Sequence, residues 1–215
     1  MVMEYLLRLT RDVLAPGSRV ALPPLNRVIY MWHGDGSLDS GGIPASLKSN
    51  EAWHGAGPCR VTIGSAGGTV LRYELLPTAA ASAASTSLLE HAIPLAPTAF
   101  YLMRCDRVDF DPGGEALPHR HKGGGIRCLI SGTLELRIEG EPDRTIKPGQ
   151  AWFESGREAV YAKASSEEPT SFIRCAILPR ELRGQSSIMY VDPKHAGSKP
   201  RRYTVFVDEP IELGP

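Results

Sequence analysis

The sequence predicts an all-β protein made of two similar antiparallel barrels or sandwiches. One observation is that 22 glycines and 18 prolines divide the 215-residue chain into short segments. Several of these segments have the alternating or apolar character of strands, and polar turns separate them. A second observation is an internal repeat, which indicates that one structural unit occurs twice. Short strands with glycine and proline turns at this spacing are typical of antiparallel sandwiches and barrels.

The repeat aligns the two halves of the chain in a constant order. Residues 5–17, YLLRLTRDVLAPG, match residues 101–113, YLMRCDRVDFDPG, at an offset of 96. The match closes at an offset of 102, where VLRYELLP at 70–77 aligns with FIRCAILP at 172–179. Because the offset changes only through small insertions, the repeat predicts two copies of one scaffold.

The strands of the second copy follow from its apolar pattern. The segment 133–138 alternates apolar and charged side chains, which predicts a half-buried strand. Turn residues at 139–144 and the dipeptide Pro148-Gly149 separate it from the segments that come after. The other predicted strands are 126–131, 160–164 and 171–178.

Composition and the repeat divide the chain into four parts. These are a first barrel, a linker, a second barrel and a C-terminal extension, at residues 1–77, 78–99, 100–180 and 181–215. Small residues dominate the linker, which predicts a connector with a short helix across 83–91 or, alternatively, a flexible lid. In the extension, 202–211 is predicted to be a further edge strand.

Charge and cysteine content exclude several classes of protein. Basic and acidic residues balance at 24 each, so no long-range field favours nucleic acid or an anionic membrane. The basic segment 194–202 is interpreted as a solvated loop. The four cysteines are scattered, which favours a reduced cytoplasmic setting. Neither a signal peptide nor a membrane-spanning segment is predicted.

Two histidines carry the strongest functional signal. His119 and His121 are two positions apart in a segment with strand character, so both side chains point to the same face. Two imidazoles on one face are suited to a shared metal ion. The first copy has Pro23, Pro24 and Leu25 at the aligned positions, so it is predicted to keep the scaffold without the site.

The spacing Gly113-x5-His119-x-His121-x3-Gly125-x6-Gly132 resembles the first motif of the cupin family, and Pro148-Gly149 follows as it does in cupins. The resemblance covers about residues 101–179 and extends to the first half through the repeat. It implies a bicupin of two tandem cupin-type antiparallel β-barrels of jelly-roll form, with a degenerate first copy. It also implies a homodimer as a reasonable expectation.

The chain departs from the family motif at the other two ligand positions. Gly125 stands where cupins have a glutamate, and Ala159 and Val160 stand where the second motif has a histidine. Two histidines alone would bind a metal weakly, so a third ligand is needed. The candidates for that ligand are Glu115, Glu154 and Glu158.

A carboxylate beside two histidines would give the ligand set of many iron(II) sites. The sequence therefore predicts at most one divalent metal ion, with iron, manganese, nickel and zinc not distinguished. The alternative is that His119 and His121 line a polar pocket without a metal.

Arg127 and Trp152 are the candidate substrate-binding residues. Arg127 lies two positions beyond Gly125, so it either faces the interior and binds an anion or turns outward at the barrel rim. Trp152 either packs in the core or forms a wall for a planar ligand.

Three functions remain open from the sequence. The first is a cupin that binds a small molecule in the second barrel, with a divalent metal if a third ligand exists. The second is a metal-dependent oxygenase, isomerase or lyase that acts on a small organic acid or carbonyl compound. The third is a non-catalytic structural or assembly protein. Neither nucleic acid nor membrane is predicted as a partner.

Overall fold

The computed structural model describes residues 2–78, 87–198 and 201–213. These residues form 17 β-strands and contain no α-helix, so the prediction of an all-β fold is confirmed. Short 3-10 helices occupy Arg180–Leu182 and Pro193–His195. None of the helices in the described ranges has the length and apolar character needed to cross a membrane.

The chain divides into two compact units, which are described separately. The first unit contains Met1–Ala99 and Ile211–Pro215, and the second contains Phe100–Pro210. The four cysteines are buried and form no disulfide; they are Cys59 in the first unit and Cys105, Cys128 and Cys175 in the second.

The first unit is a single antiparallel sheet of seven strands. They are β1 (Met3–Leu14), β2 (Arg19–Leu22), β3 (Asn26–Ser40), β4 (Ile43–Lys48), β5 (Ala52–Gly55), β6 (Cys59–Pro77) and β7 (Ser87–Leu95). The main order is β4-β3-β6-β1-β7, with β2 paired to β6 and β5 paired to β3. Apolar side chains from the long strands β3 and β6, such as Ile29, Met31 and Val70, form its core.

The segment expected to be a linker contains the strand β7. It pairs with β1, and Arg8 Nε donates to Glu90 Oε1 at 2.6 Å across the pair. For residues 87–91 the helix prediction is therefore wrong, and residues 79–86 lie outside the described residues. Without β7, the backbone groups along one edge of β1 would have no partner strand. Pairing with them outweighs the weak helix propensity of a short segment.

The second unit is a jelly roll of two five-stranded antiparallel sheets. Its strands are β8 (Tyr101–Phe110), β9 (Glu115–His121), β10 (Gly125–Ser131), β11 (Leu134–Ile138), β12 (Arg144–Ile146), β13 (Ala151–Glu154), β14 (Val160–Ala164), β15 (Thr170–Pro179), β16 (Ile188–Tyr190) and β17 (Arg202–Ile211). One sheet has the order β13-β10-β15-β8-β17 and the other β12-β11-β14-β9-β16.

The core of the second unit follows from alternation along its strands. In β11 the side chains of Leu134, Leu136 and Ile138 are buried and the two charged residues between them are exposed. With Phe110 and Phe172, they belong to one cluster that fills the interior. The C-terminal segment completes both sheets, because β16 pairs with β9 and β17 pairs with β8 at the two edges.

Candidate metal centre

The two histidines lie on β9 and point into the interior of the second unit. The side chains of His119 and His121 are 5% and 6% exposed. Their ring centroids are 4.9 Å apart and the ring planes are almost perpendicular. A strand places residues i and i+2 on one face, and the interior of this unit is the face that receives both rings.

One hydrogen bond fixes the chemical form of His119. Its Nδ1 lies 2.8 Å from the carbonyl oxygen of Leu117. A carbonyl only accepts hydrogen bonds, so Nδ1 carries the proton and Nε2 keeps a free lone pair. Metal-binding histidines in proteins are typically oriented by such a bond from the second ring nitrogen.

Of the three candidate carboxylates, only Glu154 lies with the histidines. One donor atom from each of His119, His121 and Glu154 falls within 4.8 Å of the others, and all three residues are buried. His121 Nε2 is 3.2 Å from Glu154 Oε2. Within the described ranges, this is the single group of three or more potential ligands.

Glu115 lies away from the cluster because β9 contains a bulge. Val160 of β14 pairs with His119 and Ala162 pairs with Ala116, so β9 has one extra residue between these positions. The extra residue reverses which face each side chain takes. The Glu115 carboxylate therefore lies 3.7 Å from Lys163 Nζ at a partly exposed position.

Glu158 is also outside the cluster. It follows the end of β13, and its carboxylate accepts a hydrogen bond from Ser155 Oγ. Glu154, by contrast, is the last residue of β13 and pairs with Gly125 of β10. Residues directly opposite in an antiparallel pair share a face, so Glu154 takes the face on which a side chain at 125 would stand.

Gly125 itself has no room for a side chain. A Cβ atom at this position would lie 2.5 Å from the carbonyl oxygen of Cys175 and 2.8 Å from the Cα of Ala176. The backbones of β10 and β15 approach too closely there for the glutamate of the cupin motif. The neighbouring strand thus brings a carboxylate to the position that the motif leaves empty.

Two further side chains hold the Glu154 carboxylate. Trp152 Nε1 donates to Oε1 at 2.8 Å. The Arg127 guanidinium lies 2.8 Å from Oε2, and its Nη1 donates to the Gly125 carbonyl at 2.5 Å. Arg127 is 1% exposed, so the alternative that it turns outward at the rim is wrong. Trp152 lies in the core, with its ring 5.2 Å from that of Phe172.

Burial and these neighbours set the charges of the three donors. Burial lowers the pKa of His119 to about 4 and that of His121 to about 3, so both imidazoles are neutral at pH 7. Burial alone would raise the pKa of Glu154, but the Arg127 charge and the contact with His121 keep that pKa well below its usual range. Neutral imidazoles and an ionised carboxylate are the forms that bind metal ions.

The three donors face a small cavity. Its volume is about 20 Å³. Apolar side chains form much of its wall, and Arg127, Arg174 and Arg201 also line it. This space exceeds that of one water molecule and excludes a large ligand unless the wall moves.

The C-terminal segment contributes residues that sequence reasoning missed. Arg201 and Tyr203 line the cavity, and the Tyr190 ring lies 6.3 Å from the His119 ring. The interpretation of 194–202 as a solvated loop is wrong for Arg201, which is buried. No local pattern distinguishes Arg201 from Arg202 except that it immediately precedes a strand.

The first unit has the same strand register without the ligands. Trp53, Ile29 and Arg72 are opposite one another there, as Trp152, Arg127 and Arg174 are in the second unit. Two positions along, Gly55 takes the place of Glu154. The register thus agrees with the repeat, and the first copy lacks the equivalents of Glu154 and Arg127 as well as the histidines.

Comparisons with known proteins agree with this architecture. Residues 106–174 match the family described as Cupin domain. No curated protein matches the chain. Among solved structures, AerE from Microcystis aeruginosa aligns with a TM-score of 0.62 and 14% identity over 80% of this chain and 88% of that one.

Two similar structures are enzymes by name. A mutant of oxalate decarboxylase from Bacillus subtilis aligns with a TM-score of 0.66 and 11% identity, over 90% of this chain and 73% of that one. Salicylate 1,2-dioxygenase from Pseudaminobacter salicylatoxidans aligns with a TM-score of 0.58 and 9% identity, over 93% and 74%. At these identities the similarity shows the fold. The family match shows a cupin domain at residues 106–174, which lie in the second unit and its paired sheets.

Proposed function

We propose that the second unit binds one divalent transition-metal ion through His119, His121 and Glu154 and presents it to a small molecule. The observation that carries this proposal is the geometry of the cluster, in which three buried donors lie within 4.8 Å of one another. Burying two imidazoles and a carboxylate together costs free energy. A bound cation would offset that cost.

The donor set fits such an ion. Two histidines and one carboxylate are the ligands of many non-haem iron(II) sites, and manganese, nickel and zinc accept the same donors. Three protein ligands leave coordination positions for water or a substrate. When bound, such an ion supplies a Lewis acid that polarises a carbonyl or activates water or oxygen.

The surrounding residues have definable tasks in this proposal. The Leu117 carbonyl keeps the proton of His119 on Nδ1, so Nε2 stays free to bind. Trp152 and Arg127 fix the orientation of the Glu154 carboxylate. Leu134, Leu136 and the other apolar residues of the wall limit access of water to the cavity. Such supporting contacts typically change metal affinity by about 10- to 100-fold.

A metal-dependent enzyme is the second candidate, with a small organic acid or carbonyl compound as substrate. The observation that favours it is the cavity beside the three donors, since a purely structural metal site is closed by four protein ligands. The two similar enzymes named above carry decarboxylase and dioxygenase activities, and the proposal draws only on their shared fold.

Assembly and compartment are separate proposals. We keep a homodimer and a cytoplasmic setting as expectations from the resemblance and the scattered cysteines. Light scattering of the purified protein at two concentrations tests the first, since a monomeric mass at both would contradict it.

Metal content tests the central proposal. Purified protein titrated with iron(II), manganese, nickel or zinc should take up about one equivalent of at least one ion. The double variant His119→Gln/His121→Gln should retain less than about a tenth of that amount, because the Glu154 carboxylate is then the one proposed ligand that remains. Elemental analysis after removal of free ions measures both.

The matched control is His91→Gln, which changes an exposed histidine of the first unit and should keep full metal content. A double variant that binds as much metal as the unaltered protein would place the ion elsewhere. Failure of the unaltered protein to bind any of these ions would favour the non-catalytic assembly role.

A further inference from the structure

Arg201 is a buried arginine whose side chain is only partly paired. It is 8% exposed, and its Nε donates to the Tyr203 hydroxyl at 2.8 Å. Its Nη1 is buried and has no hydrogen-bond partner among the described residues. Buried donors are almost always paired. The unpaired nitrogen on this charged group is therefore suited to bind an acceptor atom of a ligand.

The other buried arginines of the second unit differ from Arg201 in this respect. Each contacts a carboxylate within the unit: Arg104 with Asp208, Arg127 with Glu154 and Arg174 with Asp106. Arg201 has no carboxylate partner in the part of the chain that the structure describes. Its guanidinium instead lies over the Phe110 and Tyr203 rings, at 5.9 and 5.8 Å from their centroids. These rings position the charge without neutralising it.

Arg201 lines the same cavity as the three candidate ligands. The cations around that cavity are Arg127, Arg174 and Arg201, and the carboxylates that pair with them are Glu154 and Asp106. The balance is one positive charge in excess before any metal binds, and a divalent ion would add two more. An anion is therefore the ligand that this environment favours.

We infer that Arg201 is an anion-binding residue that holds a short carboxylate in the cavity beside His119, His121 and Glu154. This inference rests on the proposed function, since it names the class of small molecule for that site. A guanidinium fork matches the two oxygens of a carboxylate. The cavity volume of about 20 Å³ restricts the ligand to a carboxylate of few atoms.

Arg201 is positioned by the C-terminal segment of this chain and not by the part that matches the cupin family. It lies outside the matched cupin segment 106–174, immediately before β17. Pairing of β17 with β8 at the sheet edge anchors the residues that bring Arg201 and Tyr203 to the cavity. The C-terminal segment thus supplies the positive group that defines the ligand class.

Calorimetric titration of formate, acetate and oxalate tests the inference, on both metal-free and metal-loaded protein. We expect at least one of these anions to bind the unaltered protein. In Arg201→Gln its affinity should fall by about 10- to 100-fold, while metal content stays the same. The control is Arg202→Gln, whose side chain is 71% exposed and pairs with Asp111, and it should bind like the unaltered protein.

The outcomes separate the two proposals. If metal binds but none of the three anions does, or if Arg201→Gln binds them normally, the Arg201 inference is overturned and the metal proposal stands. If no metal binds, the metal proposal fails, and Arg201-dependent binding of anion to the metal-free protein still decides the inference.

Should Arg201→Gln fail to fold, Tyr203→Phe is the second variant. It removes only the hydroxyl that accepts from Arg201 Nε and should weaken anion binding several-fold. Unchanged affinity in that variant would overturn the inference.

Discussion

Glu154 is the residue on which the candidate site depends most. Its Oε1 accepts a hydrogen bond from Trp152, and its Oε2 lies 2.8 Å from the Arg127 guanidinium and 3.2 Å from His121 Nε2. A carboxylate held in this way has lost its side-chain freedom before any ligand arrives, so binding costs less entropy. Its ionised state is also secured, because Arg127 opposes the cost of burial.

Replacing Glu154 by glutamine should separate charge from shape. Glu154→Gln keeps the size of the side chain but removes the negative ligand, so metal affinity should fall by about a hundredfold or more. Isothermal titration with the preferred ion measures the change. Glu158→Gln is the matched control, since its carboxylate bonds to Ser155 outside the cluster and its loss should leave affinity unchanged. Equal losses in the two variants would contradict the assignment of Glu154.

The buried histidines predict how stability depends on pH in the metal-free protein. The pKa values of His119 and His121 are lowered by burial from 6.5 to about 4 and about 3. Between pH 6.5 and 4.5 the unfolded chain therefore binds protons that the folded chain does not, and stability falls as pH falls. The loss should reach about 2–3 kcal/mol for each histidine at pH 4.5.

Urea unfolding at a series of pH values, with a chelator present, measures this loss. His119→Gln/His121→Gln should show a clearly shallower decline over the same interval, since glutamine does not titrate. An identical decline in the variant would assign the acid sensitivity to other groups.

At the residue scale the sequence predicted the histidine pair and named Glu154 among three carboxylates. It had no means to choose among them, because the choice depends on a bulge between Ala116 and His119 and on the pairing of Glu154 with Gly125. Neither feature has a local signal. Arg201 was missed because its burial comes from long-range pairing of β17, while its neighbours in sequence are basic and polar.

The elements explain how a motif without its glutamate keeps a complete set of donors. β10 approaches β15 so closely at Gly125 that no side chain fits, and β13 on its other side supplies the carboxylate at the paired position. Compared with the motif, the carboxylate stands on the adjacent strand of the same sheet and on the same face. Sequence comparison by motif position does not detect such a move, because it compares positions along one strand.

Gly125→Ala should therefore damage both stability and the site. The added Cβ would lie 2.5 Å from a backbone oxygen of β15, so one of the two strands must shift. We expect a loss of about 1–3 kcal/mol in the free energy of unfolding, together with weaker metal binding. Gly197→Ala is the control, because a Cβ there meets nothing within 4 Å and should change stability by less than about 0.5 kcal/mol. Equal stability of the two variants would show that β10 and β15 adjust freely.

Element prediction succeeded where periodicity was strong. The alternating residues of 133–138 form β11 from Leu134 to Ile138, and 202–211 forms β17. It failed at β7, where Ser87–Leu95 follows a run of small residues and local composition suggested a connector. The strand exists because β1 has an edge to be covered, which is information held by a distant part of the chain.

On the scale of the whole molecule, the two repeated units have the same strand register but different residues at the positions of the candidate site. The register of β3, β5 and β6 repeats that of β10, β13 and β15, yet the first unit has Gly55 and Ile29 where the second has Glu154 and Arg127. Among the described residues of the first unit, the most deeply buried ion pair joins Arg27 to Glu74. The fold was predictable from the sequence because both copies keep the same apolar pattern, while the site depends on a few residues in one copy.

This asymmetry predicts that metal binding protects one unit against opening and leaves the other unchanged. All three proposed ligands lie in the second unit. A ligand that binds only the folded state stabilises it by about 2.7 kcal/mol when its free concentration is a hundred times the dissociation constant. Amide hydrogens of β9, β10 and β13 that exchange through opening of the site should then exchange about a hundredfold more slowly.

Hydrogen exchange followed by mass spectrometry, with and without the ion, measures this for each peptide. Peptides from 2–78 should not change, and His119→Gln/His121→Gln should show no protection in either unit. Equal protection of both units by the metal in the unaltered protein would mean that the ion does not act through the three residues of the second unit alone.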